Sequence, residues 1–197
     1  MKKLIILAAV ASALCALKPL ETKTYKVDSS KSELEWTGKK VTGEHKGLIP
    51  IANGELLIEE NKLKGGKFEL NVAGLTVTDI ADKDANARLV GHLKNDDFFA
   101  TDKFPKANFK ITNVVLNEDK TYTVTGELTI KGITKVISFP ATVTSDAKSV
   151  TATGLITVNR TLFDIKFKSA SFFENLGDKA IYDDFTLNVK LSASISK

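Results

Sequence analysis

Residues 121–143, TYTVTGELTIKGITKVISFPATV, leave this chain few ways to fold. Thr121, Thr123, Thr125, Glu127, Thr129 and Lys131 are polar. Tyr122, Val124, Leu128 and Ile130 are apolar, and Gly126 stands among them. A period of two belongs to a strand with one wet side and one dry side. Gly132 interrupts the run; Ile133, Ile137, Phe139, Ala141 and Val143 resume it. Phe, Val, Thr and Ile suit a half-buried pleated surface. The two runs predict an antiparallel hairpin that turns near residues 131–134. Its dry side has to be covered, and the cover decides what the protein does.

The same rhythm recurs along the chain. It is carried by Tyr25 and Val27, by Leu34 and Trp36, and by Leu56 and Ile58. Phe68, Leu70 and Val72 share a side, as do Ala107, Phe109 and Ile111, and later Phe185, Leu187, Val189 and Leu191. Residues 28–32 read as a turn, and residues 59–66 as a polar, glycine-ending hairpin connection. Residues 79–93 break the rhythm. Ala85, Leu89 and Leu93 recur at helical spacing, with Asp82 or Asp84 placed to cap the start. Residues 91–99 then read as a compact loop with Phe98 and Phe99 tucked under the sheet, and a second loop carries Phe172 and Phe173.

About eight to ten strands and one helix predict an all-β domain. One helix cannot cover so many half-apolar strands, so the sheet closes on itself or stacks on another. About eight strands closed into a barrel leave room for side chains or one small ligand, whereas a sandwich fills its interior. Alternation is the same in both. An outer-membrane barrel would invert the faces and show aromatic girdles, which this pattern lacks.

At 197 residues the chain suits a single domain, residues 17–197, behind a leader at residues 1–16. That leader, MKKLIILAAVASALCA, has a positive start, a short apolar core and small residues. It reads as a secretory signal peptide, too short to anchor as a membrane span. The protein is expected to be periplasmic or secreted. Cys15 is the chain's one cysteine. A lipid anchor there would want a small residue before it and a leucine three before; Leu14 and Ser12 stand there, which favours ordinary cleavage. The folded part therefore has no disulfide to help it. There are 28 basic and 24 acidic residues. They are interspersed, and without a basic run a nucleic-acid partner is not expected.

Polar candidates are few. His92 is one of two histidines, with no second ligand at metal-site spacing. A bond to a backbone carbonyl or to Asp97, pinning the loop, is favoured over catalysis. Asp96 and Asp97 read as a cap or a solvated tip before they read as paired catalytic carboxylates. No nucleophile elbow is present. The expectation is no catalytic set, no metal and no cofactor. Arg160 follows Val158 at strand spacing, so it points inward at an end of the sheet. There it would bind the polar head of a ligand, or pair with Asp97 or Asp164. If the sheet closes, Trp36, Phe68, Leu70, Phe109, Tyr122, Val124, Leu128, Ile137, Phe139 and Phe185 would line its interior, either as packed core or around a ligand.

Three groups of residues resemble the YceI-like family. They are Gly91-His92-Leu93-Lys94 with Asp97-Phe98-Phe99 and Pro105; Gly126-x-Leu128-Thr129-Ile130-Lys131-Gly132-x-Thr134 with Phe139; and Arg160-x-x-Phe163-x-Ile165. The resemblance runs from about Tyr25 to Leu191. It implies an extended, lipocalin-like, antiparallel eight-stranded barrel with one or two short helices, exported to the periplasm and often dimeric. It also implies a long apolar ligand, such as a polyisoprenoid, an isoprenoid quinone or a fatty-acid derivative, held for sequestration or transport. Arg160 and Phe163 join the candidate ligand-binding residues on that ground. An enzyme acting on such lipids through His92 and Asp97, and a ligand-free interaction module, are the alternatives. Asp164 departs from the family, which often has glycine there.

Overall fold

A computed structural model describes residues 20–195; the leader and Cys15 lie outside the described residues. The alternating runs become ten antiparallel strands: β1 (Lys23–Val27), β2 (Glu33–Lys40), β3 (Gly43–Leu48), β4 (Ile51–Glu59), β5 (Lys62–Asn71), β6 (Lys106–Leu116), β7 (Tyr122–Ile130), β8 (Ile133–Ser145), β9 (Ser149–Asn159) and β10 (Ile181–Ile195). One helix, α1 (Lys83–Lys94), lies between β5 and β6. Eight strands form a closed ring in the order β1-β4-β5-β6-β7-β8-β9-β10, and β10 pairs back onto β1. The expected eight-stranded barrel is therefore present. It has an extension that periodicity did not reveal: β2 follows β1 along the same edge of β10, and β3 pairs with β2. This hairpin lengthens the wall at one end.

Local chemistry sets the turns. β7 and β8 are joined by Lys131 (φ 51°) and Gly132 (φ 75°) alone. Two consecutive positive-φ residues match the right-handed twist of the flanking strands. The Thr129 and Thr134 hydroxyls close the turn at 2.8 Å. β4 and β5 turn at Glu60 (φ 50°) and Asn61 (φ 59°). The connection is thus tighter than the one expected over residues 59–66, and Leu63 is already a buried strand residue. Of the two acids offered as helix caps, Asp82 serves: its carboxylate accepts the Ala85 N–H at 2.7 Å. Asp84 lies in the first turn, where its charge complements the helix dipole.

The core follows the inward parity of every strand. Tyr25, Leu56, Val124, Val150, Val158 and Ala193 are each at most 2% exposed. Burying a large aliphatic or aromatic side chain contributes about 1.5–3 kcal/mol. Outward positions on β7 to β9 are mostly threonine and serine. The two ends differ. At the Tyr25 end, the Tyr25 hydroxyl donates to the Asp146 carbonyl at 2.8 Å. The Arg160 end is covered by α1, by residues 95–105 and by the β9–β10 connection. Residues 76–78 add to that cover by bonding to the free edge of β3, Thr76 N–H to Leu48 and Thr78 N–H to Lys46, both at 2.9 Å. His45 Nδ1 lies 2.8 Å from Asp79 Oδ2 and fixes the same segment.

Candidate functional site

The barrel is not filled by its own side chains. An apolar cavity lies within it, with about 90 Å³ of space open to the centre of a water molecule. A single water needs roughly 10–15 Å³ of such space and two to four polar partners. Thr153 supplies the only polar side chain among the lining residues. A methyl-lined space of this kind stays dry, and its walls lack the dispersion contacts that another hydrocarbon would restore.

One wall carries a band of aromatic rings. Phe68 on β5 and Phe109 on β6 lie 6.4 Å apart and nearly parallel, and Phe109 is 5.6 Å from Phe139 on β8. β7 separates β6 from β8, yet the rings meet across it because Gly126 stands there. A Cβ at Gly126 would lie 2.5 Å from Phe109 Cζ, so the ring lies flat over the glycine. Gly54, opposite Phe68, receives that ring in the same way, at 2.7 Å from the Cβ it lacks. Large rings laid against the wall leave the axis of the barrel empty.

A second, smaller cavity lies at the Arg160 end. Trp36, Gly38 and Phe185 line it from the strands, and Ile49, Leu75, Leu93, Phe98 and Ile165 from the connections and the helix. Trp36 is held by an Nε1–H bond to the Thr76 carbonyl, 3.0 Å. Arg160, 5% exposed, also lines it. Its Nε donates to Tyr182 O, Nη1 to Ile165 O and Nη2 to Ile181 O, at 3.0, 2.9 and 3.0 Å. Nη2 also faces Asp183 Oδ1 at 3.6 Å. Asp183 is thus its acidic partner; Asp97 pairs with His92, and Asp164 with Lys166. Burial draws the Arg160 guanidinium down from its ordinary value, and the charge of Asp183 opposes this. Burial pushes the Asp183 carboxyl up, but the Ser169 and Ser171 hydroxyls and Arg160 outweigh it and hold it below the usual carboxylate range.

The candidate lining residues separate into three groups. Phe68, Leu70, Phe109, Val124, Leu128, Ile137 and Phe139 line the large cavity. Trp36, Phe185 and Arg160 line the small one. Tyr122 and Phe163 line neither: Tyr122 packs toward the Tyr25 end, its hydroxyl accepting the Leu63 N–H at 3.4 Å, and Phe163 is fully buried in the turn Arg160–Phe163. The remaining walls of the large cavity include Leu34, Ile156, Leu187 and Val189, which share the same alternation. His92 Nε2 meets Asp97 Oδ2 at 3.3 Å, with the rings of Phe98 and Phe167 edge-on to the imidazole. That is the loop-pinning role expected of it. Neither His92 nor Asp97 lines either cavity. Among the described residues no group of three or more metal-ligating side chains occurs, and no helix is long and apolar enough to cross a membrane.

A closed eight-stranded antiparallel barrel around an apolar hollow defines a lipocalin-like class of protein. Within that class the chain belongs to the YceI-like domain family, whose match spans residues 25–193. A UPF0312 protein of Photorhabdus laumondii is 33% identical over 112 residues, 56% of this chain and 57% of that protein. A UPF0312 protein of Pseudomonas putida is 42% identical over 57 residues, covering 29% and 30% of the two. The chain thus spans less than two-thirds of the length of these relatives. Among solved structures, Burkholderia cenocepacia BcnA superposes with a TM-score of 0.68 at 22% identity, over 85% of this chain and 99% of that one. A polyisoprenoid binding domain from Saccharophagus degradans, implicated in plant cell wall breakdown, superposes with a TM-score of 0.66 at 14% identity, over 87% and 98%. These likenesses share the fold.

Proposed function

We propose that this protein takes up a long apolar molecule, a polyisoprenoid, an isoprenoid quinone or a fatty-acid derivative, inside its barrel. It would sequester or carry that molecule through the aqueous compartment reached by export, the periplasm in a two-membraned cell. The observation that carries the reading is the large cavity, whose walls come from every strand of the closed ring except β1 and which offers a ligand almost nothing but hydrocarbon. Each methylene moved from water into such a lining gains about 0.8 kcal/mol, so a long chain binds tightly with no polar contact at all. Its half-buried rings, Phe68 and Phe139, are the groups that would shift to admit one extended chain. Family membership and the shared fold with a polyisoprenoid binding domain support the same reading.

A binding role fits the polar residues better than catalysis does. His92 and Asp97 bond to each other outside both cavities, and three of the five N–H donors of Arg160 go to backbone carbonyls, with Asp183 beside them. Native mass spectrometry of protein isolated from its own cells, followed by organic extraction, tests the proposal. The expected result is a bound mass that extracts into organic solvent as a long-chain lipid, read together with the oligomeric state. Protein that carries no such mass and takes up no added prenyl or acyl chain would refute it.

A further inference from the structure

Two seams of the barrel are paired over only part of their length. Between β8 and β9 the ladder runs from Ser145 opposite Val150 to Ala141 opposite Gly154, and stops. Residues 133–140 of β8 continue alongside β7, and residues 155–159 of β9 alongside β10, with no partner on the side where they face one another. Adjacent paired strands lie about 4.8 Å apart; here no ladder holds the two edges at that distance. At the far end the gap is bridged again. The turn Arg160–Phe163 packs against β8, and Lys131 Nζ donates to the Asp164 carbonyl at 3.2 Å. What remains is a slot in the side of the barrel.

The side chains beside the slot show that the interior is reachable there. Lys135 stands opposite buried Leu128, so it has inward parity, yet it lies in solvent. Ile137 and Phe139, also of inward parity, are only half-buried, and both line the large cavity. Thr153, whose parity is outward opposite Thr142, lines the same cavity. The lips are hydrocarbon: Val136 is 69% exposed, Leu155 59% and Leu162 51%. The other short ladder behaves differently. β5 and β6 pair only from Lys67 opposite Lys110 to Asn71 opposite Lys106. There the Tyr122 ring reaches from β7 to the Leu63 N–H on β5, and both residues are at most 5% exposed. That seam is sealed from inside.

We infer that the β8–β9 slot is a lateral portal, through which a single hydrocarbon chain slides sideways between the strand edges into the cavity. The inference rests on the proposed binding function and narrows its ligand class to acyl or prenyl chains that pass in single file, to the exclusion of fused-ring lipids. Unpaired edges part without breaking a ladder bond, whereas the Arg160 end is covered by a helix and three connecting segments. The polar head stays outside, because the large cavity has only Thr153 to bond it.

The test uses the full chain with Cys15→Ser, which leaves it free of cysteine. Ser138→Cys and Thr157→Cys place thiols on the two lips, on outward-facing, solvent-exposed positions; a short bifunctional thiol reagent then staples the slot. The probe is a fluorescent linear polyene fatty acid, followed by stopped flow, with a fused-ring sterol as competitor. Stapling is expected to slow both uptake and release by about tenfold or more relative to the same variant capped with a monofunctional reagent. A Lys64→Cys and Asn113→Cys staple over the sealed seam is expected to leave both rates unchanged, and the sterol is expected not to compete. Equal rates in stapled and capped protein, equal slowing by the control staple, or sterol competition at fatty-acid concentrations would each overturn the portal while leaving chain binding intact. Failure of the unmodified protein to take up both the fatty acid and a fluorescent prenyl chain would instead overturn the binding function, and the portal with it.

Discussion

The two cavities are built on opposite principles. The large one is made by strands: its walls, Thr153 apart, are inward-parity residues of eight of the strands, and rings laid over glycines help to keep it empty. The small one is made where strands end, by a helix, turns and one buried guanidinium. In the first, the backbone is already satisfied by the sheet, so the side chains are free to be pure hydrocarbon. In the second, strand ends and loops leave carbonyls at Ile165, Ile181 and Tyr182 that the sheet does not use, and Arg160 satisfies all three. Polarity at the bottom of a pocket is therefore a structural device here, and the apolar space is the one proposed to take up a ligand.

The change expected to have the largest effect is Arg160→Ala. It strands three carbonyls and leaves Asp183 without its cation in a mostly buried site. Removing one partner of such an arrangement costs about 3–5 kcal/mol. Arg160→Lys is expected to recover little, since an ammonium cannot present the three-way fork. Urea unfolding measures both. The comparison breaks if Arg160→Ala keeps its stability and loses affinity for an acid-headed chain while keeping it for the matching alcohol; the guanidinium would then be reading the head of a ligand.

Next in size is Gly126→Ala, which attacks the large cavity. The new methyl would sit 2.5 Å from both Phe109 Cζ and the Lys110 carbonyl, so the ring must swing off the wall toward the axis. Forced overpacking of this kind costs about 1–3 kcal/mol. Chain uptake should fall with it, as the ring now occupies the path of the ligand. Adding Phe109→Leu to Gly126→Ala should restore uptake more than it restores stability, because part of the clash is with backbone. Fluorescent fatty-acid titration beside thermal unfolding separates the two; parallel losses that Phe109→Leu does not relieve would show that the ring plays no part in keeping the hollow open.

How far each region could be read from the chain follows from the same division. Where the period of two holds, the reading reaches single residues: the β7–β8 hairpin turns within the expected residues 131–134, and Phe68, Phe109, Val124 and Leu128 share one interior. Periodicity assigns a side of the strand but not a height along the barrel, so Tyr122, on the same face as Val124, falls beyond the cavity at the Tyr25 end. Gly126 reads only as one more position of the apolar side, because the absence of a side chain has meaning only once Phe109 is seen above it. At the Arg160 end the inward direction of the arginine was legible from its spacing after Val158. Its partner was not, since Asp183 lies in β10, beyond the 21-residue connection 160–180, which has no period to count along. Leu75 and Ile165 carry no local signal for the same reason.

Acid should weaken the Arg160 end. Asp183 titrates below the usual carboxylate range, and so does Asp79, where burial pushes upward but the His45 ring and the Lys46 N–H prevail. A folded pKa below the unfolded value of roughly 3.9 means the stabilisation is complete above that pH and is lost as the pH falls through the folded value. Thermal unfolding from pH 6 downward should therefore show a wild-type loss beginning near pH 4, and Asp183→Asn, less stable at pH 6, should show a shallower one. Identical slopes would remove Asp183 from the list of groups that hold this end together.

The smallest expected effect concerns Asp164. Asp164 follows the Arg160–Phe163 turn with φ 58° and ψ 32°, a left-handed conformation that glycine adopts freely and that costs other residues about 1 kcal/mol, somewhat less for aspartate. Its carboxylate meets Lys166 at 2.7 Å, but both side chains are largely exposed and such a pair contributes little. The Asp164 carbonyl is what matters to the slot, since it accepts Lys131 Nζ, and glycine retains it. Asp164→Gly relieves the backbone and loosens the unfolded chain, and the two effects nearly offset; a gain of a few tenths of a kcal/mol, up to about 1, is expected in urea unfolding. Asp164→Val, which keeps the carbonyl but cannot relax into the left-handed region, should cost about 1–2 kcal/mol. If glycine destabilises by as much as valine, the Lys166 contact and not the backbone is what the aspartate contributes, and the turn that closes the far end of the slot is held by charge.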